Sequence, residues 1–96
     1  MKKIMHNGNE LSIEFKKYAN GLTAIQLVEN FDCAPMATVN IPDEPLEKDE
    51  VLIKNWSENE GIYDALLEAG IIAPAHKMVS TGFVYAHKCK LLIPIS

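Results

Sequence analysis

The sequence predicts an α+β protein: a single antiparallel β-sheet of about five to six strands with one helix packed on one face. Three observations carry this. Residues 10–17 alternate apolar and polar side chains between two Asn-Gly dipeptides, as a half-buried strand between tight turns does. Residues 56–70, WSENEGIYDALLEAG, hold the one amphipathic helical pattern. Residues 79–93 return to strand-like alternation. The resulting order, β-β-β-β-β-α-β, has too few helices for parallel βαβ winding and suits one sheet covered by one helix.

In chain order, residues 2–6 form a short strand that turns at Asn7-Gly8. Leu11, Ile13 and Phe15 face inward on the second strand, and after Asn20-Gly21 the run LTAIQLVE returns with Ile25 and Leu27 inward. Residues 30–35 read as a loop, and MATVNI, rich in β-branched residues, as a strand closed by Pro42. The charged, proline-containing residues 42–48 read as an exposed connection before a short strand at residues 51–53.

Ser57 followed by Glu60 has the spacing of a capping box, so the helix is expected to start near Glu58, and Ser57→Ala to cost about 1 kcal/mol. Ile62, Ala65, Leu66 and Ala69 line its apolar face, widened by Tyr63 and Leu67. Gly70 supplies the left-handed cap, and Pro74 forbids much further helix. In the last stretch Phe83, Tyr85, Cys89 and Leu91 share a face with His87 between them, while Lys88 and Lys90 take the other; Pro94 ends it. The expected core is Phe15, Ile25, Leu27, Val39, Ile62, Leu66, Phe83 and Leu91.

At 96 residues the chain is read as a single domain, 1–96, large enough to bury a core without disulfide staples. The N-terminus MKKIMHNGNE lacks the apolar segment of a secretory signal, and no stretch is long and apolar enough to span a membrane. A cytoplasmic setting follows as the default, with Cys33 and Cys89 as free thiols.

Charge is unevenly placed. The window 43–68 holds nine acids (Asp43, Glu44, Glu47, Asp49, Glu50, Glu58, Glu60, Asp64 and Glu68) against two lysines, net −7, while the rest of the chain carries +3. There are nine lysines and no arginine, which removes the side chain best shaped for bidentate phosphate and guanine contacts and argues against direct nucleic-acid binding.

Chemistry-bearing constellations are sparse. His6, His76 and His87 have no second ligand at metal spacing. His87 and Cys89 sit two apart on one strand face, but a nucleophilic pair also needs an orienting group and an oxyanion site. Glu58, Glu60 and Asp64 are explained by the positive end of a helix. No glycine-rich phosphate loop or GxSxG spacing occurs. The sequence therefore assigns no catalytic residue, no metal and no cofactor, and is read as that of a non-enzyme. Trp56 and Tyr63, beside the acidic window, are the candidate aromatic anchors of an interface; packing of Trp56 over the first helical turn is the simpler alternative.

KYANGLTAIQL (residues 17–27), ATVNIP (37–42), SENEG (57–61) and STGFV (80–84) together resemble an uncharacterised family of small proteins from phages and integrative or conjugative elements. The likeness runs over residues 11–91. The chain differs from that pattern at Ala34-Pro35-Met36 and at His76-Lys77. The resemblance implies a mobile-element setting inside a bacterial host.

Two functions follow as expectations. The first is a protein-binding accessory factor, an inhibitor of a host defence complex such as CRISPR-Cas, which docks on a basic, nucleic-acid-handling protein through Asp43, Glu44, Glu47, Asp49, Glu50, Trp56, Glu58 and Tyr63. The second is a module that binds or sequesters a nucleotide-like signal between helix and sheet, against which the lack of arginine counts. Exposed sheet edges also make a homodimer compatible with the pattern.

Overall fold

The computed structural model describes residues 3–29, 32–41 and 43–93. The side chains of Cys33, Ala34 and Glu58, the start of the first strand at Lys2, and the closing prolines Pro42 and Pro94 lie outside the described residues. Mostly strands with a single helix, the chain is α+β as expected, but it builds two sheets. The first contains β1 (Lys3–His6), β2 (Asn9–Lys17), β3 (Thr23–Glu29) and β4 (Asp32–Met36) in the order β1-β2-β3-β4. The second contains β5 (Glu50–Ile53), β6 (Lys77–Ser80) and β7 (Tyr85–Lys90) in the order β5-β7-β6. Every pairing is antiparallel.

The first two hairpins form as the turn residues dictate. Asn7 and Gly8 both have positive φ, 52° and 79°, as a two-residue primed turn requires. Phe15 opposes Ile25 and Ile13 opposes Leu27, so the expected inward faces meet. Residues 32–36 are a strand rather than the expected loop: pairing with β3 outweighs the local turn signal, and the register shift between Gln26 and Val28 places the extra residue of β4 beside Pro35. A bulge on an edge strand is where a proline is tolerated.

The sheets are joined at residues 37–39. Ala37 N–H donates to Ile25 O on the first sheet at 2.8 Å, while Lys54 N–H donates to Ala37 O at 2.8 Å and Val39 N–H to Leu52 O at 3.0 Å on the second. Thr38 bridges Ile53, and its buried hydroxyl accepts the Ile25 N–H at 3.2 Å and meets Tyr18 Oη at 2.8 Å. The expected strand over residues 36–41 is thus a three-residue joint between two sheets, and a single sheet does not form because the chain turns from one pairing partner to the other within it.

A strap, residues 40–41 and 43–49, then crosses the outer face of the second sheet. Expected to be an exposed connection, it instead brings Ile41 and Leu46 onto Leu52, Val79 and Ala86, with Val39 and Trp56 packed beside them. The larger core lies on the inner face and draws on both sheets and the helix: Ile4, Ile13, Ile25 and Leu27; Val51, Ile53 and Cys89; Ile62, Ala65 and Leu66.

The helix is shorter than its sequence pattern. Ser57–Asn59 form a 3₁₀ turn, Gly61 takes φ 93°, and α1 runs over Ile62–Glu68. The expected capping box does not form, since Ser57 itself has a φ of 56° and caps nothing. Asn55 does the capping: its Oδ1 accepts from Gly61 N–H at 3.1 Å and Tyr63 N–H at 2.9 Å. The C-terminus ends as expected at Gly70, φ 73°, with Ile71 N–H donating to Leu66 O and Gly70 N–H to Leu67 O, the two bonds of a Schellman motif.

The expected long strand over residues 79–93 is instead the hairpin β6–β7. Gly82, at φ 108°, lets residues 81–84 reverse direction. That reversal carries Phe83 past the end of the sheet, where it is fully exposed rather than in the core, and leaves Tyr85 at 59% exposure. Ile25, Leu27, Ile62, Leu66 and Leu91 are buried as expected, and Phe15 and Val39 are partly so.

Because Asn55 rather than Ser57 holds the first helical turn, Asn55→Ala should cost about 1 to 2 kcal/mol, whereas Ser57→Ala should change stability by less than about 0.5 kcal/mol. Urea denaturation of the two variants checks this order.

Candidate functional site

The acidic window does not lie free on the surface. Lys88, on the strand face that alternation assigns to solvent, is only 8% exposed because the strap covers it. Its Nζ donates to Glu44 Oε2 at 3.0 Å and to Pro45 O at 2.9 Å, and lies 4.0 Å from Glu50 Oε1. Lys77, opposite Lys88 in the register, also reaches Glu44 Oε2 at 3.0 Å. Glu50 is buried; its Oε1 accepts the Glu47 N–H at 2.8 Å and its Oε2 lies 2.8 Å from His76 Nε2.

These contacts hold both carboxyls below the usual carboxylate range. For Glu44 the hydrogen bonds from Lys77 and Lys88 dominate. For Glu50 the Glu47 backbone N–H dominates, with the charges of Lys88 and His76 assisting against the cost of burial. Such a site binds its own lysines, so Glu44 and Glu50 act first as fasteners of the strap.

The remaining predicted residues separate into groups. Asp43 and Glu47 have exposed side chains on the strap. Asp49 is half-exposed and meets Lys90 at 3.9 Å. Trp56 is half-buried against the outer cluster of Leu52, Val79 and Ala86. Tyr63 lies at the helix start, its Oη accepting the Ala75 N–H at 2.8 Å and its ring 4.2 Å from that of His87. The structure therefore gathers Glu44, Glu47 and Glu50 around the strap and places Tyr63 on the inner, helix side.

Sequence reasoning missed His76, Lys77 and Lys88 as partners of the acids, and Asn55 as the cap. The lysines lie 33 and 44 positions from Glu44, and no local pattern links them. Asn55 did carry a signal, an Asn ahead of a helical pattern, outweighed by the Ser-x-x-Glu spacing.

His87 and Cys89 do not form a nucleophilic couple. The Cys89 Sγ contacts the His87 carbonyl at 3.5 Å rather than its ring, and burial pushes the thiol up to about 12, far from the thiolate that attack requires. Burial lowers the His87 imidazole below its ordinary value, opposed by the charge of Asp64, and its Nδ1 has no hydrogen-bond partner. Among the described residues, no three His, Cys, Asp or Glu side chains are grouped to hold a metal ion, and no helix is long and apolar enough to cross a membrane.

A second feature is an open cleft of about 240 Å³ where α1 meets the β1–β2 hairpin, floored by Ile4, Met5, Ala65 and Ala69 and rimmed by Lys3, Glu10 and Glu68. Lys3 pairs with Glu10 at 3.2 Å. No known protein family, characterised protein or solved structure matches the chain.

Groups with lowered native pKa stabilise the fold above their unfolded values and lose that contribution on acidification. Stability should therefore fall in two stages: below about pH 6.5 as the unfolded chain gains a proton that partly buried His87 resists, and below about 4.5 as Glu44 and Glu50 are protonated. Denaturation against pH should show His87→Phe flattening the first stage and Glu50→Gln flattening the second.

Proposed function

We propose that the protein is a non-catalytic, protein-binding accessory factor of a phage or mobile element, whose carboxylate-bearing strap docks on a basic, nucleic-acid-handling host protein. Inhibition of a defence complex such as CRISPR-Cas is the role this reading gives it. The observation that supports it best is the placement of the strap. Lys77, Lys88 and Lys90 reach the acidic window and bring its charge from −7 to −4, and the exposed acids Asp43, Glu47 and Asp49 are carried on a segment already fixed against the sheet.

A fixed row of carboxylates suits a groove built for phosphates: it meets the same lysines and arginines, and its order is set before binding. The sequence resemblance to mobile-element proteins supplies the setting. A nucleotide-binding role is less well supported, since the cleft beside α1 holds two carboxylates and its one lysine is already paired with Glu10.

The test is capture of partners by the tagged protein from its bacterial host, at low and moderate salt, compared with the triple variant Asp43→Lys, Glu47→Lys, Asp49→Lys. The variant should lose the captured protein while its melting temperature stays within a few degrees, because exposed substitutions change stability by only about 0.5 kcal/mol each. Equal capture by both would contradict docking through the strap.

A further inference from the structure

The cleft beside α1 is remote in sequence from the strap, and its chemistry is specific. The floor is apolar: Ile4 and Ala65 are buried, whereas Met5 is 58% exposed and Ala69 partly so. At the rim, Lys3 and Glu10 neutralise each other. Glu68 does not share that balance. It is exposed, and among the described residues it makes no ion pair.

Glu68 is also badly placed for the helix that carries it. It occupies the last turn of α1, where no basic residue offsets it, and an acid there faces the negative end of the peptide dipoles. Its carboxylate is exposed to solvent beside an exposed methionine and two alanines, and no lysine among the described residues neutralises it. A cation seated in the cleft would offset it, while the apolar floor would cover that cation's aliphatic stem.

At about 240 Å³ the open cleft is below the range of roughly 300 to 1,000 Å³ typical of small-molecule sites, so an occupant smaller than most ligands suits it. The planar, weakly hydrated guanidinium pairs with carboxylates better than an ammonium does. We propose that the cleft between α1 and the β1–β2 hairpin receives an arginine side chain of a protein partner, its stem on Met5, Ala65 and Ala69 and its guanidinium on Glu68. This rests on the reading that the protein binds proteins, and adds a contact separate from the strap.

The experiment titrates N-acetyl-arginine amide into the intact chain and follows its methyl groups by NMR, with N-acetyl-norleucine amide as the uncharged control. Saturable shifts at Ile4, Met5, Ala65 and Ala69, in roughly the millimolar range and weakened about threefold by Glu68→Gln, are expected, the factor being that of one exposed ion pair. Absence of those shifts, equal affinity in E68Q, or an equal response to the norleucine amide would overturn the proposal. So would shifts confined to the strap methyls of Ile41 and Leu46, which would leave the docking of the strap intact. Because the probe is added directly, the cleft is tested whether or not a host partner is captured.

Discussion

The Thr38 hydroxyl, buried between two sheets, is the contact on which the rest of this structure depends. The chain has the strands for one sheet. By passing from Ile25 to Leu52 and Ile53 within residues 37–39, the backbone instead lets two sheets share one core while the amides of Ala37, Val39 and Lys54 find partners across the joint. A buried polar joint of this kind is safe only when satisfied, and Tyr18 and Ile25 satisfy it. Asn59 fastens the same region from the helix side, its Nδ2 donating to Met36 O at 2.6 Å.

From that joint follows the placement of the strap, and from the strap the character of the acidic window. Having left residue 39 on the outer face of the second sheet, the chain must cross that face to enter β5. The crossing partly buries Leu46 and Ile41 and brings Glu44 over Lys88. Part of the acidic window's charge is thereby met within the chain: Glu44 and lysines 33 and 44 positions away are adjacent in space. What remains exposed on the strap is a smaller set of carboxylates, Asp43, Glu47 and Asp49, with Glu68 exposed at the far end of α1.

Local rules read the chain well wherever structure was local. The Asn7-Gly8 turn, the pairing of Ile13 with Leu27 and Phe15 with Ile25, and the glycine cap at Gly70 were all available from a few neighbouring residues. They failed where a choice between partners was made at long range. Residues 36–41 had a strand's composition but not a single strand's fate. Ser57-Glu60 had the spacing of a capping box, yet Asn55, held beside Gly61, took the amides first. Phe83 read as core because alternation was counted through Gly82, where the chain in fact reverses. The candidate site was visible only as a charge imbalance, because the residues that complete it, His76, Lys77 and Lys88, belong to a hairpin whose register no nearby sequence dictates.

Amide hydrogen exchange at residues 25, 37, 39 and 54 tests most directly whether the joint is the keystone of the fold. If it is, these four amides exchange only through global unfolding, with protection equal to the full stability of the protein, and Thr38→Val lowers all four together with the amides of β2 and β7. Exchange at the joint through a local opening several kcal/mol below global unfolding, with β2 and β7 still protected, would show that the sheets stand independently and contradict the account.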